Sequence, residues 1–168
     1  MLRIPGPTPC PQEVLRAMSK QMINHRGEEF EGLIYSVTNR LKEFFQTKGD
    51  VLILTSSGTG GLEAAIVNTL SPGDKVLAAI NGVFGERFAD IAENFGAEVK
   101  RLHFPLGQPD DPDAIAKALD SDKSIKAVLV THNETSTGLT NDLASISEVV
   151  KKYDKLVLID AISSLGCI

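Results

Sequence analysis

The sequence of 168 residues is long enough for one domain with a buried core, and 42% of its residues are hydrophobic. Its formal net charge of −5 argues against the basic surface that nucleic-acid binding needs. No apolar run approaches the ~18 residues of a membrane span, and three early prolines interrupt any signal-peptide core. The cysteines, Cys10 and Cys167, lack the paired spacing of a metal site or disulfide framework. We therefore expect a cytoplasmic protein with no metal and no nucleic-acid or membrane partner.

The amino-terminal segment is rich in proline, which favours an extended arm. Pro11 suits the first turn of a helix that we predict to run to about Gln21. We assign residues 1–20 to this arm and first helix, and residues 21–168 to a larger domain. A second helix is predicted over residues 28–45, where apolar residues recur at three- and four-residue spacings.

From residue 51 onward, short apolar runs alternate with amphipathic stretches. The apolar runs predict strands over residues 51–55, 75–80, 99–104, 127–131 and 156–159. The amphipathic stretches predict helices over residues 61–70, 84–95, 112–119 and 142–153. Asp111 followed by Pro112 is typical of a helix start. This alternation predicts an α/β fold with a mostly parallel sheet and flanking helices.

Ligands of such sheets bind at the carboxyl ends of the strands, so the loops there are the candidate site. Residues 55–61 (Thr-Ser-Ser-Gly-Thr-Gly-Gly) join a predicted strand to a helix. Their glycines permit close backbone approach, and the helix start offers free N–H groups to a phosphate. The same segment also suits a tight turn without a ligand. It matches neither a P-loop nor a dinucleotide-binding fingerprint, which disfavours a nicotinamide-binding domain.

Three further loops carry candidate ligand-binding groups. Phe84 lies between two glycines, where its ring could cover a planar heteroaromatic ligand or could belong to the core. Residues 131–138 combine many hydroxyl and amide groups with His132, which is either a general base or, more often at a strand end, a structural donor. Asp160 ends an apolar strand, where a carboxylate either caps the next turn through Ser163 or Ser164 or pairs with a cationic ring nitrogen.

Together these loops resemble the class V aminotransferases, within fold type I of the pyridoxal-phosphate enzymes. The likeness extends over nearly the whole sequence and is greatest to alanine–glyoxylate, serine–glyoxylate and serine–pyruvate aminotransferases. The motifs that carry it, in family order, lie at residues 5–9, 24–27, 57–65, 71–76, 81–87, 131–138 and 160–166. Any one of these motifs is weak, and it is their order and spacing that make the resemblance specific.

The resemblance implies pyridoxal 5'-phosphate as cofactor and a role for each matching residue. Ser57, Gly58 and Thr59 would hold its phosphate, and Phe84 would stack on its ring. Ile162 would pack on the other ring face. Thr135 would hydrogen-bond near the ring hydroxyl, and Asp160 would pair with the protonated ring nitrogen. Gly6 would line the substrate site.

The resemblance also implies parts that this sequence does not contain. The family's Schiff-base lysine would lie beyond Ile168, so no catalytic residue is assigned within the chain. Two later strands would separate the strand predicted over residues 51–55 from the rest of the sheet, leaving it without a neighbour. We therefore expect this chain to be the first part of the cofactor-binding large domain, and inactive alone.

The function that this family likeness implies is amino transfer from a small amino acid, such as alanine or serine, to a 2-oxo acid such as glyoxylate or pyruvate, in a homodimer. Two alternatives stay open. One is a non-catalytic cofactor- or partner-binding remnant that another chain completes. The other is a different class V reaction such as cysteine desulfuration, whose enzymes usually carry a stacked histidine in the loop equivalent to residues 131–138.

Overall fold

A computed structural model describes residues 4–168, which form two compact units, one ending at Thr55 and the other spanning Ser56–Ile168. The first unit contains two helices, α1 (Gln12–Met18) and α2 (Glu28–Phe44). Pro11 precedes α1, as predicted, but this helix ends before Gln21. Three acidic residues occupy the first turn of α2, where they favour the positive end of the helix dipole.

The strand predicted over residues 51–55 is wrong, because this segment has no regular secondary structure. Leu52, Ile53 and Leu54 are each at least half exposed. A strand exists only when a neighbour satisfies its backbone groups, and no strand within residues 4–168 pairs with this segment. An apolar run indicates the tendency to form a strand, but it does not supply the partner.

The second unit alternates helices and strands. Its helices are α3 (Gly58–Thr69), α4 (Val83–Asn94), α5 (Pro112–Ser121) and α6 (Leu143–Lys152). Its strands are β1 (Lys75–Ile80), β2 (Glu98–His103), β3 (Ile125–Thr131), β4 (Asn133–Glu134), β5 (Leu139–Thr140) and β6 (Leu156–Asp160). The predicted start of α5 is confirmed, since the Asp111 carboxylate accepts a hydrogen bond from the backbone N–H of Asp113.

Four of the strands form a parallel sheet in the order β2-β1-β3-β6, while β4 and β5 form a short antiparallel pair. The predicted α/β fold with a mostly parallel sheet and flanking helices is therefore confirmed. Thr131, the last residue of β3, lies beside Asp160, the last residue of β6. This register brings the polar ends of the two strands side by side.

Helices cover both faces of the sheet, and the core is divided accordingly. One apolar cluster joins the sheet to α3 and α4, and the other joins it to α5 and α6. Residues on both faces of β1 and β3 are buried, which explains why these strands read as continuous apolar runs rather than alternating ones. Among the described residues, no helix is both long and apolar enough to cross a lipid bilayer.

Candidate functional site

The candidate site lies at the carboxyl edge of the parallel sheet, within the second unit. Phe84 follows β1, Thr135 follows β3, and Ile162 follows β6. Parallel strands present these ends on one edge of a sheet, so the fold brings the three loops together. Gly6 belongs to the first unit, where it is exposed.

The start of α3 provides a set of free backbone donors. Ser57 precedes the helix in an extended conformation, and no side chain caps this end. The N–H groups of Gly58, Thr59 and Gly60 find no acceptor within residues 4–168, whereas Gly61 N donates to Ser57 O at 3.2 Å. Free amides at the positive end of a 12-residue helix are suited to bind an anion such as a phosphate.

Gly58 connects this helix start to the loop after β6. A β-carbon at position 58 would overlap the tip of the Ile162 side chain, so a larger residue there would require Ile162 to move. Ile162 itself remains 62% exposed, which leaves most of its surface available to a ligand. The start of α3, with its free backbone donors, therefore contacts the loop that follows Asp160.

Phe84 lies in the first turn of α4. Its backbone N–H donates to Glu134 Oε2 at 3.0 Å, which ties it to the loop after β3. The guanidinium of Arg87 lies 4.9 Å from the centre of its ring, at cation–π distance. The ring is only partly buried, so it is not simply a core residue, the alternative left open by the sequence.

Thr135 is held by a small hydroxyl network that crosses from β3 to β6. Its Oγ1 lies 2.9 Å from Ser163 Oγ, to which it donates. Ser163 Oγ also accepts from Asn133 Nδ2 and donates to the Asn133 backbone carbonyl, both at 3.0 Å. The network keeps the Thr135 hydroxyl beside the loop that carries Ile162.

Asp160 places a carboxylate in a largely dry environment, with only 5% of the residue exposed. Its Oδ1 accepts from the backbone N–H of Ile162 at 3.0 Å, so it closes a local turn, although not through Ser163 or Ser164. Burial raises its pKa, and the charge of Glu134 raises it further, against the lowering effects of the Ile162 bond and Arg87. Within the described part of the chain, no group donates to Oδ2, so this oxygen is free to meet a cationic ligand.

His132 takes part in this edge through its backbone. Its N–H donates to the Asp160 carbonyl and its own carbonyl accepts from Asn141 N, both at 2.8 Å. These bonds fix the strand end in the way expected of a structural residue, and its imidazole is half-buried.

Sequence reasoning missed a buried polar cluster beside the site. Asn141 Oδ1 accepts from Asn81 Nδ2 and from Asp110 N, both at 2.9 Å, and Asn141 Nδ2 donates to Thr131 O at 2.8 Å. One side chain thus joins the ends of β1 and β3 to the loop after β2. No spacing in the sequence marks these residues as partners, because they come from three separate loops.

Glu134 was also missed, although it lies inside a loop that the sequence did single out. It is fully buried and binds the start of α4 through Phe84 and Gly85. The many polar residues of this loop mark it in the sequence, but they do not indicate that Glu134 is the one whose side chain is buried.

Comparison with known proteins assigns the chain to a family. The family described as "Aminotransferase class-V" matches residues 1–168. The chain belongs to the class-V aminotransferase family. The resemblance drawn from the sequence is confirmed, and membership of this family implies pyridoxal 5'-phosphate as the cofactor.

Relatives of this class-V chain carry more than one functional name. The "Soluble hydrogenase 42 kDa subunit" of Anabaena cylindrica is 48% identical over 99% of this chain and 44% of its own length. The "L-aspartate--glyoxylate aminotransferase" of Paracoccus denitrificans is 39% identical over 97% of this chain and 42% of its own length. The chain therefore spans less than half the length of these relatives.

Solved structures of this family share the fold. The alanine–glyoxylate aminotransferase of a Nostoc species superposes with a TM-score of 0.92 at 31% identity, covering 97% of this chain and 43% of the other. A partial fold-type-I aminotransferase domain is therefore the correct description of the architecture.

Proposed function

We propose that the complete protein is a pyridoxal-phosphate-dependent aminotransferase. It would move an amino group from a small amino acid of the alanine or serine type to a 2-oxo acid such as glyoxylate or pyruvate. The observation that supports this proposal is that one edge of the sheet carries both the free amides at the start of α3 and the buried carboxylate of Asp160. The cofactor has two charged ends. Its phosphate needs hydrogen-bond donors such as the free amides, and its protonated pyridine nitrogen needs an anion such as the Asp160 carboxylate.

The residues at this edge fit the cofactor, and we propose their roles accordingly. Ser57, Gly58 and Thr59 bind the phosphate through backbone N–H groups and hydroxyls. Phe84 covers one face of the ring, and the exposed side chain of Ile162 packs against the other.

We propose that Asp160 holds the proton on the ring nitrogen and that Thr135, whose own hydroxyl hydrogen is given to Ser163, accepts a hydrogen bond near the ring hydroxyl. When bound, the cofactor supplies an electron sink for the substrate's α-carbon. Asp160 is suited to this role because its buried carboxylate forms no ion pair within the described residues and would gain from pairing with a cation. The network through Ser163 orients Thr135 before any ligand arrives.

Further features of the complete protein belong to the same proposal. We assign residues 1–20 to an amino-terminal arm and first helix, and residues 21–168 to the first part of the cofactor-binding domain. Gly6 lines the substrate site, and the Schiff-base lysine lies beyond Ile168. The protein acts as a cytoplasmic homodimer, by analogy with its family.

The test uses the product of the complete reading frame. After incubation with pyridoxal 5'-phosphate and removal of the excess, we expect the protein to keep an absorption band of the conjugated cofactor, at longer wavelength than the absorption of the protein alone. Alanine or serine should change this band, and glyoxylate or pyruvate should restore it. A protein that stays colourless after cofactor is added would contradict the proposal.

Two further measurements separate the alternatives. Cysteine as substrate, with release of sulfide and no response to alanine or serine, would favour desulfuration. Intact mass would identify a short, non-catalytic product if the cellular protein had the mass of this chain.

A further inference from the structure

Glu134 is the most thoroughly bonded carboxylate in the second unit. None of its surface is exposed, and its two oxygens together accept four hydrogen bonds. Oε2 accepts from the backbone N–H groups of Phe84 and Gly85, both at 3.0 Å. Oε1 accepts from the N–H of Ser136 at 3.0 Å and from its hydroxyl at 2.6 Å. Four donors converge on the two oxygens, so both oxygens of this buried side chain are fully hydrogen-bonded.

The charge of Glu134 is balanced by a helix rather than by a cation. No lysine, arginine or histidine in residues 4–168 forms an ion pair with it. Its partners Phe84 and Gly85 belong to the first turn of α4, the positive end of a 12-residue helix. Val83 N, the remaining amide of this turn, donates to Ser136 Oγ at 3.1 Å. Glu134 and Ser136 therefore cap the first three amides of α4 together.

Gly82 makes this capping possible. A β-carbon at position 82 would overlap the Glu134 side chain and Ser136 Oγ. The carboxylate thus occupies the space beside the chain where a side chain at position 82 would begin. This close approach links the turn before Phe84 to the loop after β3 at a single, closely packed point.

From these contacts we propose that Glu134 is a positioning residue for the cofactor, acting through Phe84. The carboxylate grips the backbone amide of Phe84, and this fixes where the side chain leaves the helix and so where the ring lies. Because Glu134 has no exposed surface, it would not itself touch the ligand. The inference rests on the proposed function, because it concerns the ring that is to cover the cofactor.

The test is a double-mutant cycle on cofactor affinity in the complete protein. Glu134→Gln puts an amide NH2 group where a carboxylate oxygen accepted from backbone N–H, so at least one buried donor loses its partner. We expect the dissociation constant of pyridoxal 5'-phosphate, measured by absorbance titration, to rise about tenfold or more. Phe84→Ala should raise it as well. In the Phe84→Ala background, Glu134→Gln should add less than about twofold, because the ring through which it acts is gone.

A matched control is available at another helix. The Asp142 carboxylate accepts from the N–H and hydroxyl of Ser145 at the start of α6, just as Glu134 accepts from both groups of Ser136. Asp142→Asn should leave the dissociation constant within about twofold of the wild-type value, since α6 carries no proposed cofactor contact. If Glu134→Gln does not fold, Ser136→Ala enters the same cycle, with a smaller rise expected.

The outcomes distinguish the two proposals. If the wild-type protein binds no cofactor, the proposed function fails and this inference fails with it. If the wild type binds but Glu134→Gln binds equally well, the positioning role alone is refuted. Full additivity of Glu134→Gln and Phe84→Ala also refutes it, since independent effects mean that Glu134 does not act through the ring.

Discussion

The side chain of Ile162 occupies the space beside Gly58 in which any other residue would carry its β-carbon. The contact joins the start of α3 to the loop after β6, so it sets the spacing between the proposed phosphate site and the proposed partner of the ring nitrogen. A larger residue at position 58 would displace the Ile162 side chain from this contact.

Gly58→Ala should destabilise the complete protein. The new methyl group overlaps the exposed tip of Ile162, which must move aside, and we expect a loss of up to about 1 kcal/mol in the free energy of unfolding, measured by urea denaturation. Gly61→Ala is the matched control, because nothing lies within 4 Å of a β-carbon there. That variant should be neutral or stabilised by up to about 1 kcal/mol through better helix propensity. Equal stability of the two variants would contradict the contact, and Ile162→Ala should relieve the Gly58→Ala defect.

Asp160→Asn should weaken cofactor binding and remove most of the activity. A neutral amide cannot balance a protonated ring nitrogen, and we expect activity to fall about a hundredfold or more, as for the loss of a buried charged partner. The dissociation constant of the cofactor and the rate of amino transfer both report the change. Asp154→Asn, an exposed aspartate in the turn before β6, is the control. A fully active Asp160→Asn enzyme would exclude the proposed role.

Asp110 should make the protein less stable as the pH rises. Burial, followed by the charge of Glu134, raises the pKa of Asp110 from 3.8 to about 7. The folded state therefore holds this proton more tightly than the unfolded state, and its stabilising effect is complete below about pH 4 and is lost as the pH rises to about 7. Both carboxylate oxygens are buried and meet no donor among the described residues.

Asp110→Asn removes this titration. As the pH rises from about 5 to about 8, the wild type should lose stability relative to the variant, because only the wild type has this carboxyl group with a raised pKa. Thermal unfolding across this range measures the difference. Asp111→Asn changes the exposed neighbour and should leave the slope as it is. A parallel pair of pH profiles for wild type and Asp110→Asn would contradict the assignment.

Asn141→Ala should be among the most damaging single changes in the second unit. The variant removes the acceptor of the Asp110 N–H and the donor to the Thr131 carbonyl, and it leaves the Asn81 amide only its longer bond to Gln108 O at 3.4 Å. We expect a loss of about 3 kcal/mol or more in the free energy of unfolding from these buried groups. Asn68→Ala, which removes one exposed bond to Ala64 O, should cost less than about 1 kcal/mol. Chemical denaturation of the two variants under the same conditions gives the comparison.

Much of the fold could be predicted from the sequence because local patterns determine it. Strands β1 and β3 are covered on both faces and so appear as apolar runs, and Asp111 and Pro112 mark the start of α5 by their own chemistry. The segment 51–55 shows the limit, since its apolar residues are as strand-like as the others but it has no partner within the described residues.

The residues of the candidate site were likewise only partly predictable from the sequence. Family resemblance placed candidate residues such as Phe84 and Asp160 on the chain, and their roles stay predictions. Glu134 and Asn141 could not be found, because each acts on groups that lie far away in sequence. A buried glutamate is costly in isolation, and only the folded structure shows the helix that compensates it.

The hydrogen bond from Phe84 N–H to the Glu134 carboxylate joins two residues that are 50 positions apart in the sequence. Helix α4 can begin to form from local interactions alone, but its first turn gains its acceptors only after β3 has been laid beside β1. The amide protons of Phe84 and Gly85 should therefore exchange with solvent only when the loop after β3 detaches from the start of α4. Their protection would measure the free energy of this local opening separately from that of global unfolding.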